Sequence, residues 1–312
     1  MPTTDRAAAR RRQNLDALLR RSPLQPVFRA RAARRLAVLG YHGIDDPAAF
    51  RAQMERLART ARPVGLEEVA RAAEHRRPLP ARSVLVTFDD GDRTVLTEAL
   101  PVLARLGIPA AVYVITDLID SDHPYWWTEA AHLVAHGARA EPLRGLGPTA
   151  AVRRLKSLPD PERRRALAEL RATAARQAPR QRQLSSAELR TLADAGLAIG
   201  SHTASHPCLD RCTDADLDAQ LVRAHDRLTA LTGRPPTSFA YPNGNYDPRA
   251  DRVLRTLGYR TGFLFDHRHA DLAPAHRLRI SRLRVNSHTG RDRFDTILSG
   301  LHPAVHRLRG GS

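Results

Sequence analysis

The chain has 312 residues, 42% of them hydrophobic, and carries 50 lysine and arginine residues against 33 aspartate and glutamate, a formal charge of +17. That apolar share excludes a disordered chain and supplies the core of one large α/β domain with room for an insert. No run of about 18 apolar residues is present to span a bilayer, and no apolar stretch follows Met1 as in a secretory signal, so a cytoplasmic location is expected.

Lys156 is the sole lysine, so nearly all the positive charge is arginine, densest over 6–35 and 152–182. Spread in this way it speaks against nucleic-acid binding as the primary role. A basic N-terminal extension, 1–35, fits peripheral contact with a membrane surface or an anionic glycan better. Cys208 and Cys212 are too few for a structural zinc knuckle and read as two incidental thiols.

The first strong strand is Leu36–His42, an apolar run ending at the polar turn Gly43–Pro47. Helices are expected over 48–61 and 66–76. A strand at Ser83–Phe88 runs straight into Asp89-Asp90-Gly91. A helix over 94–106 stops at Gly107, with Pro109 just beyond, and Ala110–Ile115 is the next strand. Residues 136–184, rich in Arg, Ala and Glu and without a strand candidate, read as a helical insert with a helix ending near 177. Ser185 and Glu188 form a capping box for a helix to Ala195. A short strand, Gly196–Gly200, then delivers Ser201-His202. A helix over 214–232, a strand over 237–240, a helix over 249–257 and strands at 259–265 and 278–285 complete the pattern. Near-continuous apolar strands alternating with helices indicate parallel strands buried on both faces. Seven or eight such units suit a complete or distorted (β/α) barrel over 36–300, followed by a C-terminal tail, 301–312.

His42, Asp89, Asp90, His202, His206 and the turn Tyr241-Pro242-Asn243-Gly244 all fall just past strand C-termini, the rim on which parallel α/β folds build their sites. Two adjacent carboxylates at one strand end repel each other unless a cation separates their roles. Two imidazoles four residues apart, joined by a carboxylate from another strand end, hold a divalent ion on one face and leave positions for water and substrate. Zinc suits that donor set best, with iron, cobalt or nickel compatible.

Thr87-Phe-Asp-Asp-Gly91 resembles the first motif of the NodB-type polysaccharide deacetylases (carbohydrate esterase family 4). Ser201-His-Thr-Ala-Ser-His206 resembles their second, and Phe239-Ala-Tyr-Pro-Asn-Gly244, more loosely, their third. The likeness runs from about Leu36 to Val285 and is nearest in pattern to the branch acting on poly-N-acetylglucosamine. It implies that Asp90, His202 and His206 hold the metal and that Asp89 is the general base. The activity implied is metal-dependent hydrolysis of an N-acetyl group from an amino sugar in a polysaccharide, glycolipid or small glycoside. The Tyr241 backbone N–H is expected to meet the oxyanion.

Two departures from the family pattern shape the rest. The late strand ends without the usual Leu-x-His, so His42 is expected to protonate the leaving amine, with His288 as the lesser candidate. Ala240 stands where many members carry an arginine, so Arg282 or Arg279 on the late strand is expected to orient Asp89. Trp126 and Trp127, the only tryptophans, are candidate sugar-stacking faces beside Pro242 and Asn243. Two other classes compete: an inactive deacetylase-fold binding protein, and another metal enzyme with a two-His-one-carboxylate site.

Overall fold

In the computed structural model, which describes residues 15–308, helix α1 (Gln25–Ala32) leads into strand β1 (Arg35–Tyr41). Asp46 caps helix α2 (Pro47–Thr60) by accepting from the Ala49 N–H, with Pro47 in the first turn where no N–H is missed. Strand β2 (Arg62–Pro63), too short to show a period, and helix α3 (Leu66–His75) precede strand β3 (Ser83–Phe88). The helix expected over 94–106 is a π turn, Val95–Ala99, followed by helix α4 (Leu100–Leu106). Pro101 has no N–H for the ladder, and the chain widens just upstream of it. Strand β4 (Ala110–Val114) follows.

The central strands alternate between two cores, as a period of two demands. Leu39, Val86 and Val112 pack outward against the helices, whereas Val38, Leu85, Ala111 and Phe263 fill the interior. Such strands, buried on both faces, are the signature of a parallel sheet wrapped by helices.

The insert begins at Trp126, ahead of the expected residue 136. Helices α5 (Trp126–Ala135), α6 (Pro148–Ser157) and α7 (Asp160–Thr173) gather round their own apolar cluster, including Trp126, Leu133, Leu155 and Leu170. The last of these helices stops at Thr173, short of 177. Helix α8 (Ser186–Asp194) carries the expected Ser185–Glu188 capping box. Strand β5 (Ala198–Ser201), helix α9 (Asp214–Thr232), strand β6 (Ser238–Ala240), helix α10 (Pro248–Thr256) and strand β7 (Thr261–Phe263) continue the alternation.

Strands β1, β3, β4, β5, β6 and β7 lie side by side in that order, all parallel. Strand β8 (Ala270–Asp271) joins the edge of β1 antiparallel. The strand expected over 278–285 is broken into a bridge from Ile280 to Phe263 and strand β9 (Leu283–Arg284), which pairs with β1. The cause is Asp266, whose carboxylate takes the Ser281 hydroxyl and the Arg282 N–H in place of ladder partners. Because segment 280–284 touches both the first and the last parallel strand, it closes a distorted (β/α) barrel and carries Arg282 into it.

Residues 301–308 form helix α12 (Leu301–Leu308) rather than a tail. It follows helix α11 (Arg291–Leu298), buries Leu301 and Pro303, and sets His302 and His306 against the ring of His267. Of the basic extension expected over 1–35, residues 1–14 lie outside the described ones, as do 309–312. No helix among the described residues is long and apolar enough to cross a membrane.

Candidate active site

The strand ends converge as expected. The Asp89 N–H donates to the Tyr41 carbonyl and the His202 N–H to the Val114 carbonyl, so the sheet ladder itself delivers both residues to the rim. Beyond it the chain turns sharply. Asp90, Thr203, His206 and Asn243 take φ values of 66°, 68°, 56° and 58°, the left-handed region that side chains seldom occupy. Half of the eight such non-glycine residues described lie in this one place, as backbone strain does at functional sites. The His206 turn is pinned by its N–H on Thr203 Oγ1 (2.9 Å), and Ser205 by two hydrogen bonds with Gln220 on α9.

Asp90, His202 and His206 are buried, and one ligand atom from each lies within 4.8 Å of the others. Asp90 Oδ1 stands 3.4 Å from His202 Nε2 and 3.5 Å from His206 Nε2. This oxygen is buried without a hydrogen-bond partner. A buried charged oxygen without a donor is costly, and two imidazole nitrogens facing it are the donor set of a divalent ion. His202 Nδ1 meets the Ala240 carbonyl at 2.8 Å, which fixes the proton on that nitrogen and leaves Nε2 as the ligand. The three residues fit a divalent metal.

Electrostatics separate the two carboxylates. Burial alone would raise the Asp89 carboxyl, but the Arg282 guanidinium, with help from His202, holds it below the usual range. Burial opposes the Asp90 charge too, and His202, His42 and His206 outweigh it and lower that carboxyl strongly. Burial pushes His206 down to about 3, leaving it neutral, the form that ligates. His202 is raised, its burial being outweighed by Asp89 and Asp90.

Arg282, fully buried, grips Asp89 with a two-pronged contact, Nη1 to Oδ1 and Nη2 to Oδ2, both 2.7 Å. Its Nε donates to the Leu264 carbonyl and Nη1 also to Thr87 Oγ1. Gly40 leaves room for the Phe265 ring that lies under the guanidinium, since a Cβ there would meet that ring at 2.6 Å. Arg279 is elsewhere, over the ring of Tyr246. The guanidinium beside Asp89 thus comes from the closing segment.

His42 reaches Asp90 Oδ2 at 3.9 Å, its side chain 48% exposed and edge-on to Phe265. It opens onto a groove of about 1060 Å³ whose walls include Arg284, His288, Arg293 and His302. His288 itself is exposed, near Asp45.

The expectations for Tyr241, Trp126 and Pro242 need correcting. The Tyr241 N–H donates to the Phe263 carbonyl (3.0 Å) within the sheet, so it is not offered to an oxyanion, and the Tyr241 ring turns into the α9–α10 core, its hydroxyl on Asp251. Trp126 presents no sugar face: it is 8% exposed, packed under Arg163, and its Nε1 donates to the His206 carbonyl. Trp127 is the tryptophan at the site, 4.5 Å from the His206 ring but already stacked on Tyr125. Pro242 is buried, and Asn243 is partly exposed at the rim. Cys208 and Cys212 are both free and buried.

Sequence reasoning missed Lys156, whose Nζ donates to Asn243 Oδ1 at 2.5 Å. Its being the sole lysine was the available signal.

The family model for polysaccharide deacetylase matches residues 76–262, which contain Asp89, Asp90, His202, His206 and the Tyr241–Gly244 turn. The chain belongs to the polysaccharide deacetylase family. Solved structures share its fold. The deacetylase PplD of Streptococcus pyogenes, in complex with acetate, has 18% identity and a TM-score of 0.59, covering 85% of this chain and 98% of that one. IcaB of Ammonifex degensii has 21% identity and a TM-score of 0.58, with 85% and 96% covered. A de-N-acetylase from Aggregatibacter actinomycetemcomitans has 14% identity and a TM-score of 0.57, with 84% and 99% covered. As a deacetylase family member the chain is a hydrolase acting on acetyl groups, with a candidate metal site of the right donors at its rim.

Proposed function

We propose that this deacetylase removes the acetyl group from the nitrogen of an acetylated amino sugar, using a divalent ion, zinc by preference, on Asp90, His202 and His206. The observation that carries this reading is the pairing of a buried Asp-His-His set, one oxygen of which lacks any donor, with a second buried carboxylate held apart by arginine. When bound, the ion makes a water acidic and polarises the acetamide carbonyl. Asp89 takes the water proton through a lone pair that Arg282 does not use, and Arg282 keeps the carboxylate aimed and ionised. His42, at the groove mouth beside Asp90, gives a proton to the nitrogen as the C–N bond breaks, so acetate and a free amine leave. The name of the Aggregatibacter neighbour, a de-N-acetylase, supports nitrogen over oxygen as the acetyl carrier.

Acetate release is the test, from N-acetylglucosamine oligomers, lipid-linked and small N-acetyl sugars, and an O-acetylated sugar, with and without chelator. Release from an N-acetyl sugar, abolished by chelator and restored by zinc, is expected. His42→Ala should slow N-deacetylation about 100-fold or more while sparing any ester hydrolysis, whose leaving group needs no proton donor of that strength. No acetate from any N-acetyl sugar with metal added overturns the reading.

A further inference from the structure

The one lysine among the 50 basic side chains stands at the site, and it is brought there by the insert. Lys156, on the last turn of α6, is partly buried and donates to Asn243 Oδ1 in the Tyr241–Gly244 turn. Asn243 in turn points its amide nitrogen at Cys208 Sγ (3.4 Å), two residues beyond His206. The Ala240 carbonyl, three residues before Asn243, holds His202. The ammonium therefore rests on the turn after β6, which holds His202 through Ala240 and touches the His206 loop through Cys208.

Its partner is a neutral amide, and among the described residues no carboxylate pairs with it. The buried cation of the insert, Arg163, is neutralised by Asp160, and Arg164 and Arg171 bond Asp160 and Glu129, whereas Arg153, Arg154 and Arg165 are exposed to water. A half-buried cation left without an anion lowers the stability of the free protein unless an anion arrives. Lysine is also the side chain suited to receive one here, a compact charge with three rotatable donors of which Asn243 uses one.

We infer that Lys156 is a substrate-contacting residue, pairing with a negatively charged oxygen of the molecule bound at the metal site. The inference rests on the deacetylase reading for its substrate but not for its binding test. Two sources supply such an oxygen: the acetyl group itself, as its carbonyl becomes an oxyanion and then acetate, or a fixed phosphate or carboxylate on the sugar. Burial lowers the Lys156 ammonium, while the Cys208 sulfur and the Asp90 carboxylate oppose that fall, so the lysine lies within electrostatic reach of the ligand set.

The test compares zinc-loaded wild type with Lys156→Met, Lys156→Arg and Asn243→Asp, the last keeping the lysine but cancelling its charge. Acetate binding is read by calorimetry, kcat and KM on a neutral N-acetylglucosamine oligomer and on a phosphate-bearing N-acetyl sugar, and zinc content and melting temperature alongside. Lys156→Met and Asn243→Asp should weaken acetate binding about 10- to 100-fold, the worth of a charge-assisted hydrogen bond, with zinc content unchanged and Lys156→Arg intermediate. A matching fall in kcat on the neutral oligomer assigns the oxygen to the acetyl group. A rise in KM confined to the phosphorylated sugar assigns it to a fixed substituent. Unchanged binding and kinetics in both arms overturn the inference, as does loss of zinc in step with loss of binding, which would make Lys156 a prop for the His206 loop. Wild type that binds neither acetate nor the phosphorylated sugar overturns it too. Wild type that binds acetate through Lys156 yet turns over no N-acetyl sugar defeats the proposed function alone.

Discussion

Asp89 and Asp90 are adjacent in sequence and unlike in the fold. Asp90 bends into the left-handed region and offers an oxygen that nothing else engages, whereas Asp89 stays on the strand end and spends both oxygens on Arg282. Replacing Arg282 with leucine would leave Asp89 buried and unpaired, a loss of about 3–5 kcal/mol that endangers the fold itself. Arg282→Lys is the cleaner variant, since it keeps the charge and loses the fork. Turnover should drop about 100-fold through misaimed geometry while zinc content stays at wild-type level. Turnover equal to wild type in that variant would mean that Arg282 does not position the base.

At the scale of elements, the site depends on what each loop is tied to. The His206 carbonyl receives Trp126 Nε1–H at 3.0 Å, so α5 of the insert holds the turn that carries a ligand. Trp126→Phe keeps the apolar bulk and deletes this bond. Zinc affinity, measured by competition with a chromogenic chelator, should fall about 10- to 100-fold, as loss of a ligand's supporting bond does. Unaltered affinity would show that the turn is held by Thr203 and Gln220 without help. The strands and their terminal acids and imidazoles were legible in the sequence because apolar runs ending in polar pairs leave a local signature. Arg282 was legible through an absence, the uncharged Ala240. Lys156 and Trp126 were not, since their partners Asn243 and His206 lie 87 and 80 residues away and no local period encodes such a contact. Strand β8 is two residues long, and the break in the last strand depends on Asp266, a side chain outside it.

On the scale of the whole molecule, the C-terminal helices are locked to the barrel by neutral histidines. His267 is buried, its Nδ1 accepts the Arg284 N–H, and its Nε2 meets His302 on α12 at 3.0 Å. His269 donates to the Leu298 carbonyl at the end of α11. Burial lowers His267 to about 3, with nearby His302 and His306 adding to it, and lowers His269 to about 4. An unfolded histidine titrates near pH 6.5, so the unfolded chain binds more protons than the native one below that value. The contribution of these rings to stability is therefore complete above about pH 6.5 and drains away as the pH falls toward the folded values. His267→Asn keeps a side chain that tolerates the φ of 57° and can still accept from the backbone, but cannot titrate. Between pH 7 and 4.5 the melting temperature of the wild type should fall further than that of His267→Asn, by about 2–4 °C for each kcal/mol of linkage. Parallel falls in the two proteins would place the acid sensitivity elsewhere, in the carboxylates and not in this histidine lock. Acid should release α12 from His267 first, and the groove that opens from His42 toward His302 and His306 should lose that wall before the barrel melts.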